Sequence, residues 1–521
     1  MSCVIFAHSS QEINLLEQKI PLGRSKWFCT DFETKLALKK KGYCGEYFED
    51  AMPYSEFRRA DKKAFAVSSE LCSVNGSDLS IFDGVSYVFL NHYILFPYFI
   101  RFFKYVAVVS SVIEKYRPNL VVVAKDSFFC DVVTQVCHSK KIPVECVAVP
   151  SPSIPSKEIF FQLKRFAIRN VANVFLFFNS FLRTKLTSPK IMFFGVLSMK
   201  GRRLFELLVD RGVNVSVVDL NVAHWRQMHG VKYSKLSQYA CARPIPKADF
   251  SRSLQKLLDS VELADRLTWD FVPLLPVAMP MLRKLFLCDF PQTLTELRGC
   301  KKILEIEKPE KIVLWSNAPR KERCIVTVAK EKGIETIVLQ HGISANRDLT
   351  DSFRLYPLLS DSLLCWGLRD KTFFIKKGTN PKHISVVGCP QCEKLYAKKT
   401  LLGKNIRSEF NIKKHDLFVL FVTQPFVGWA GEEGRHEQHG LLCEFLKHTD
   451  GFPNFKGIIK IHPSEDFWKY DSIAEKSNGR FTCTKDSTYD LLAACDLVVT
   501  RSSTLGLEAI VLGKPVLSVN F

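Results

Sequence analysis

Residues 496–515 read DLVVTRSSTLGLEAIVLGKP. DLVVT is an apolar, β-branched run that reads as a strand. RSST is a polar elbow. LGLEAIVL reads as a helix, closed by Gly513 and Pro515. A strand that turns through a tight elbow straight into a helix is half of a βαβ unit, so the expected class is α/β with parallel sheets. The elbow sets Ser502, Ser503 and Thr504 at a helix N-terminus, beside Arg501. Backbone N–H groups and the helix dipole favour an anion there, and the hydroxyls add donors. Ordinary N-capping needs one Ser or Thr; three hydroxyls and an arginine exceed it. Glu508, one turn into the helix, can accept bonds from ribose hydroxyls, although a helical glutamate is more often simply solvated.

The stretch IIKIHPSED (458–466) bears on the same site. Proline cannot donate to a sheet ladder, so this strand ends at His462, just past Lys460. In open α/β sheets, ligands bind at the carboxyl ends of strands. Alone, His-Pro is equally a turn with an incidental histidine. If both strands lie in one parallel sheet, His462 and the Ser502–Thr504 elbow share an edge and can grip one phosphorylated ligand.

The strand–loop–helix theme recurs along the chain. KWFCT (26–30), RPNLVVVAKD (117–126), PVECVAV (143–149), KIMFFGV (190–196), VNVSVVDL (213–220), KIVLWSN (311–317) and ETIVLQHG (335–342) alternate with helical patterns. Residues 250–309 are mostly helical and read as an insertion. A polar linker at 395–416 precedes a second α/β unit with strands at 417–423, 456–461, 480–484, 496–500 and 515–521. The expected organisation is two Rossmann-like lobes: residues 1–394 on the acceptor side and 417–521 as the nucleotide-donor lobe. The chain stops at Phe521 inside a stretch that reads as a strand with no helix to cover it, so either the second lobe is truncated or the first lobe packs there.

The chain has 521 residues, 47% hydrophobic and 24% charged, which is globular rather than disordered. A net charge of +20 favours anionic partners. Clustered basic arms of the nucleic-acid type are absent, since KKK at 39–41 is too short. The 17 cysteines are scattered; Cys389 and Cys392 have no second pair to make a zinc ribbon, and reduced thiols in a cytoplasmic protein are the preferred reading. The N-terminus lacks a signal-peptide pattern. Residues 85–100 come nearest to a membrane span but carry Asn91, His92 and Pro97, so they read as core. Residues 157–185 fit a helix with a polar stripe of Gln162, Arg165, Arg169, Asn173 and Ser180. Such a helix can lie peripherally on an anionic membrane, although a core helix with a basic solvent edge is preferred.

Taken together, HP after a strand and SSTLGLEAIVLGKP resemble the donor half of GT-B glycosyltransferases. The resembling group makes bacterial surface and capsular polysaccharides: Kdo transferases, sialyl- and polysialyltransferases, and CDP-glycerol glycerophosphotransferases. IVLQHGI, LLCWG and ISVVGCPQCEKL also resemble this group. The likeness covers roughly residues 305–521 in motifs and the first 300 in architecture only. It implies that His462 bonds the donor phosphate, that Ser502, Ser503 and Thr504 bind the same phosphate, and that Glu508 contacts the nucleotide sugar. Lys460 and Arg501 join this donor-binding set. In the glycerophosphotransferases a histidine of a WHG motif is implicated as the base. Here that position is His341, with Gln340 in place of tryptophan, and a structural role for His341 is as good a reading. Asp126, at the end of VVVAKD, and Glu432 or Glu433, in GWAGEEGRHEQHG, are the other candidate bases.

The chemistry these residues support is inverting transfer of a sugar, or of glycerol phosphate, from a nucleotide-activated donor to an acceptor hydroxyl. The resemblance favours CMP- or CDP-linked donors and a surface-polysaccharide or lipid-linked acceptor. The nucleotide sugar is a substrate; no cofactor is expected, and no Asp-x-Asp motif offers a metal site. One alternative is a non-hydrolysing UDP-N-acetylglucosamine 2-epimerase, whose elbow normally reads Ser-Gly-Gly. The other is a non-catalytic carbohydrate- or nucleic-acid-binding protein. It ranks last, because the polar residues gather at strand ends rather than on one basic face.

Overall fold

Each apolar run read as a strand forms one. The computed structural model describes residues 3–7, 9–19, 25–29, 32–125, 128–148, 190–195, 202–218, 231–239, 245, 247–340, 342, 358–397, 402–403, 405–424, 433–449, 451–452, 454–463, 465, 468–475, 477, 479–485, 488–501 and 503–519. Strands β1 (Cys3–Ala7), β2 (Ser25–Cys29), β3 (Gly45–Tyr47), β4 (Leu120–Ala124) and β5 (Val144–Val147) form a sheet of order β3-β2-β1-β4-β5. Strands β6 (Ile191–Phe194), β7 (Val215–Val218), β8 (Lys232–Ser234), β9 (Lys311–Leu314), β10 (Glu335–Leu339), β11 (Ser362–Cys365) and β12 (Ile384–Val386) take the order β8-β7-β6-β9-β10-β11-β12. Strands β13 (Leu417–Val422), β14 (Phe455–Lys460), β15 (Phe481–Thr484), β16 (Leu497–Thr500) and β17 (Val516–Ser518) take β15-β14-β13-β16-β17.

All three sheets repeat one order, in which the first strand is third from one edge and the strand order reverses beside it, as in Rossmann-like folds. Pairing is parallel throughout the second and third sheets, and between β1, β4 and β5. The α/β class read from the sequence is therefore the class observed. Residues 1–394, read as one Rossmann-like lobe, hold two such sheets.

The chain divides into two compact units. One comprises Met1–Ala7, Asn14–Trp27 and Phe48–Gly388; the other comprises His8–Ile13, Phe28–Tyr47 and Cys389–Phe521. In the first unit, helix α1 (Tyr54–Glu70) packs along α2 (Tyr87–Tyr116). Helix α2 is the one described helix long and apolar enough to cross a membrane, and 72% of its apolar window is buried inside the protein, in keeping with the core reading of residues 85–100. Residues 157–185, with the membrane-surface helix reading, lie outside the described residues. The stretch read as a helical insertion holds helices Lys247–Leu258, Val261–Arg266, Leu275–Lys284 and α3 (Phe290–Glu307). Helix α4 (Arg320–Glu331) buries Cys324, Ile325, Val328 and Ala329. It ends in a Schellman motif: Gly333 has φ +66, Ile334 N–H donates to the Ala329 carbonyl at 2.9 Å, and Gly333 N–H donates to that of Lys330 at 3.2 Å.

In the second unit the third sheet is covered on both faces, which explains why its strands are continuous apolar runs. Phe418, Leu420 and Val422 pack with Ile458, Val498, Leu491 and Ala509. Val419 and Phe421, alternating with them along β13, pack with Ile459, Val499, Leu442 and Tyr470. Ile406 and Ile412, from the stretch read as a linker, join the first of these clusters.

Gly457 sits within β14, where a Cβ atom would lie 2.2–2.7 Å from three carbons of the Phe481 ring. Gly457→Ala is therefore expected to cost about 1–3 kcal/mol of stability through overpacking. Urea denaturation measures this. An unchanged midpoint would mean that the Phe481 ring moves aside freely.

Candidate functional site

Strand register aligns the carboxyl edge of the third sheet. Val422 is level with Lys460 on one side and with Thr500 on the other; Lys460 is level with Thr484, and Thr500 with Ser518. His462 and the elbow therefore leave the same edge, on strands β14 and β16. These flank β13, so their strand ends are about 10 Å apart, two interstrand spacings. The topological switch point lies between β13 and β16, directly beside the elbow.

The elbow runs into helix α5 (Thr504–Val511). Ser503 is its N-cap, with φ −70 and ψ 143, and its Oγ accepts the Leu505 N–H at 3.3 Å. A hydroxyl can accept twice and donate once, so capping leaves the Ser503 hydrogen available to a ligand oxygen. Ser503 N–H in turn donates to Thr500 Oγ1 at 3.3 Å, and Ser518 Oγ donates to the Arg501 carbonyl at 2.8 Å. Gly506 lets the helix lie close to the sheet, since a Cβ there would be 3.2 Å from Thr500 Cγ2. Thr504 opens the helix. Glu508, one turn into α5, is 1% exposed. Helix α5 ends in a second Schellman motif, with Gly513 at φ +76 and Lys514 N–H donating to the Ala509 carbonyl at 2.9 Å.

On the other side, the main chain of His462 is held at both ends. Its N–H donates to Thr423 Oγ1 at 2.9 Å. Its carbonyl accepts the Glu465 N–H at 2.9 Å, closing a four-residue turn with Pro463 at the second position, where its fixed φ suits the turn. Lys460 is 3% exposed. Its ammonium donates to the Lys485 carbonyl at 2.8 Å and to the Ile461 carbonyl at 3.3 Å, so it braces the ends of β14 and β15. Lys485 Nζ donates to the Glu465 carbonyl.

Three residues in this frame were not singled out from the sequence: Thr423, Glu465 and Tyr470. The Glu465 carboxylate accepts from Thr423 Oγ1 at 2.5 Å and from the Tyr470 hydroxyl at 2.7 Å. The available signal was the carboxylate three residues after His462 in HPSE.

The candidate bases Asp126, His341 and Glu432, and Ser502 of the elbow, lie outside the described residues. Glu433 begins helix Glu433–His448, and its side chain lies outside the description. Gln340, which stands where the resembling group has tryptophan, is buried. Its Nε2 donates to the Gly342 carbonyl at 2.8 Å and its Oε1 accepts the Trp366 N–H at 2.8 Å. It thus ties the carboxyl ends of β10 and β11 together. Among the described residues, no group of three or more His, Cys, Asp or Glu could hold a metal ion. A pocket of about 390 Å³ in the first unit is lined by Phe82, Asp83, Arg252, Lys256, Leu294 and Arg298, among others. None of the residues picked out above lines it, and most of its polar walls are solvent-exposed side chains, so the strand-end arrangement carries the functional reading.

No protein-family model matches the chain, and no curated protein matches it. Among solved structures, the chain is similar to UDP-GlcNAc 2-epimerase from Methanocaldococcus jannaschii, with 15% identity, 63% of this chain and 83% of that one covered, and a TM-score of 0.41. It is similar to UDP-GlcNAc 2-epimerase from Neisseria meningitidis bound to UDP-GlcNAc, with 13% identity, 63% and 81% covered, and a TM-score of 0.39. It is also similar to HepE from Anabaena in complex with UDP and glucose, with 15% identity, 63% and 80% covered, and a TM-score of 0.35.

Proposed function

We propose that the chain is a GT-B-type transferase that moves a sugar, or glycerol phosphate, from a nucleotide-activated donor to a hydroxyl of a surface-polysaccharide or lipid-linked acceptor. The carrying observation is the shared register of Lys460, Val422 and Thr500, which brings His462 and the hydroxyl elbow to one sheet edge beside the switch point. In this reading the donor phosphate sits between His462 and the N-terminus of α5, held by Ser502, Ser503 and Thr504, with Arg501 adding charge and Glu508 serving the nucleotide sugar. As the bond between the transferred group and the nucleotide breaks (glycosidic for a sugar, phosphoanhydride for glycerol phosphate), negative charge grows on the leaving nucleotide. Donors already aimed at that position stabilise it without reorganising, the logic of an oxyanion hole. A general base among His341, Asp126, Glu432 and Glu433 deprotonates the acceptor; in sugar transfer a single displacement inverts the anomeric carbon, and in glycerol phosphate transfer the acceptor oxygen attacks phosphorus and the nucleotide leaves. The motif resemblance supports a cytidine nucleotide, metal-independent chemistry, and a place on the cytoplasmic side of a membrane that carries the acceptor.

Isothermal titration with CMP, CDP and UDP tests this. A cytidine nucleotide is expected to bind, and His462→Ala to weaken it about tenfold, the size of one lost charge-assisted hydrogen bond. Binding of UDP alone would shift the reading to a UDP-sugar transferase or an epimerase, which a UDP-sugar incubated without acceptor then separates. Binding of none of the three overturns the donor-site assignment.

A further inference from the structure

We infer that Glu465 is a positioning residue that aims His462 through Thr423, an inference that rests on the donor-phosphate reading above. The Thr423 hydroxyl has one hydrogen and two acceptors in reach: a Glu465 carboxylate oxygen at 2.5 Å and the Lys460 carbonyl at 3.4 Å. The shorter bond to the charged group wins. With its hydrogen committed to Glu465, the Thr423 oxygen turns a lone pair to the His462 N–H at 2.9 Å. Glu465 is itself fixed from three directions. Tyr470, 2% exposed, donates its hydroxyl to the other carboxylate oxygen at 2.7 Å. Lys485 Nζ donates to the Glu465 carbonyl, and the Glu465 N–H closes the His-Pro turn. The carboxylate faces two hydroxyl donors, so it has no need of a ligand to satisfy it. What it controls is the direction of one hydroxyl, and through that the main chain from which the imidazole projects.

A double-mutant cycle separates this role from general support of the fold. Thr423→Val keeps the side-chain shape and removes the hydroxyl; Thr423→Ser keeps the hydroxyl. Glu465→Gln keeps the shape and puts an amide donor in reach of two hydroxyls that now donate. Each is titrated with CMP, CDP and UDP in the His462 and the His462→Ala backgrounds. The expectation is that Thr423→Val and Glu465→Gln weaken nucleotide binding about tenfold when His462 is present and less than about twofold when it is absent, with Thr423→Ser close to wild type. Equal losses in both backgrounds, or no loss in either, overturn the positioning role while leaving the donor site standing. A wild-type chain that binds no nucleotide overturns the donor site itself, a distinct result.

Discussion

Arg320→Met is expected to destabilise the first unit by about 3–5 kcal/mol, because it leaves a buried carboxylate without its cation. Arg320 opens helix α4, where a positive charge opposes the helix dipole. It is retained there by a planar pairing with Glu296 on α3. Nε meets Oε2 at 2.8 Å and Nη2 meets Oε1 at 3.1 Å, with the two side chains 12% and 8% exposed. The remaining arm, Nη1, donates to Asn91 Oδ1 on α2 at 3.3 Å. Asn91 is fully buried and passes the contact on, donating to Thr293 Oγ1 at 2.9 Å and to the Tyr87 carbonyl at 2.8 Å. One guanidinium thus joins three helices. Removing both charges with Arg320→Met and Glu296→Leu should restore most of the loss, since the desolvation cost disappears with the pair. Urea denaturation of the two single variants and the double variant decides it. A single-variant loss below about 1 kcal/mol would show that water reaches Glu296 and that the pairing is of the weak surface kind.

Such non-local ties mark where the sequence stops being readable. Strand identity was legible because the parallel strands are covered on both faces, so VVV, IIKI and LVVT stand out against polar loops. Helix ends were legible where a glycine must adopt positive φ, as at Gly333 and Gly513. Which strands share a sheet was not legible: KIMFF and LVVVA look alike, and only pairing across the chain assigns them to different sheets. The candidate site divides the same way. His462 and Ser503 could each be set at the carboxyl end of a strand from Pro463 and the elbow alone, because both signals are local, but that the two strands share one sheet shows only in their pairing with β13. Thr423 lies 39 residues from His462 and 42 from Glu465, and an ordinary Thr-Gln-Pro after a strand gives no sign of that contact. Lys460, by contrast, looked available to an anion from its place at a strand end, yet its ammonium is engaged by main-chain carbonyls.

Acidification should loosen the same unit through His92. This histidine lies on α2, with Nε2 3.2 Å from Ser68 Oγ and 3.4 Å from Ser69 Oγ, and its ring stacks on Phe96. Burial first, and the Arg323 guanidinium second, push its pKa down from 6.5 to about 3. Arg323 is itself buried and donates to the Phe89 and Ala318 carbonyls at 2.7 and 3.0 Å. Burial lowers its pKa to about 10, so it remains a cation across the range in question. The sign follows from proton counting. Below about pH 6.5 the unfolded chain takes up a proton at His92 that the folded chain refuses, so stability falls as pH drops, until the folded site also titrates near pH 3. The full window corresponds to roughly 4–5 kcal/mol, lost at up to about 1.4 kcal/mol per pH unit. His92→Asn removes the titrating group and keeps a polar partner for Ser68. Its stability should therefore fall less steeply than wild type between about pH 6 and pH 4, by up to that slope per unit. Denaturant midpoints measured across that range give the comparison directly, and parallel curves would place the acid sensitivity in the carboxylates instead.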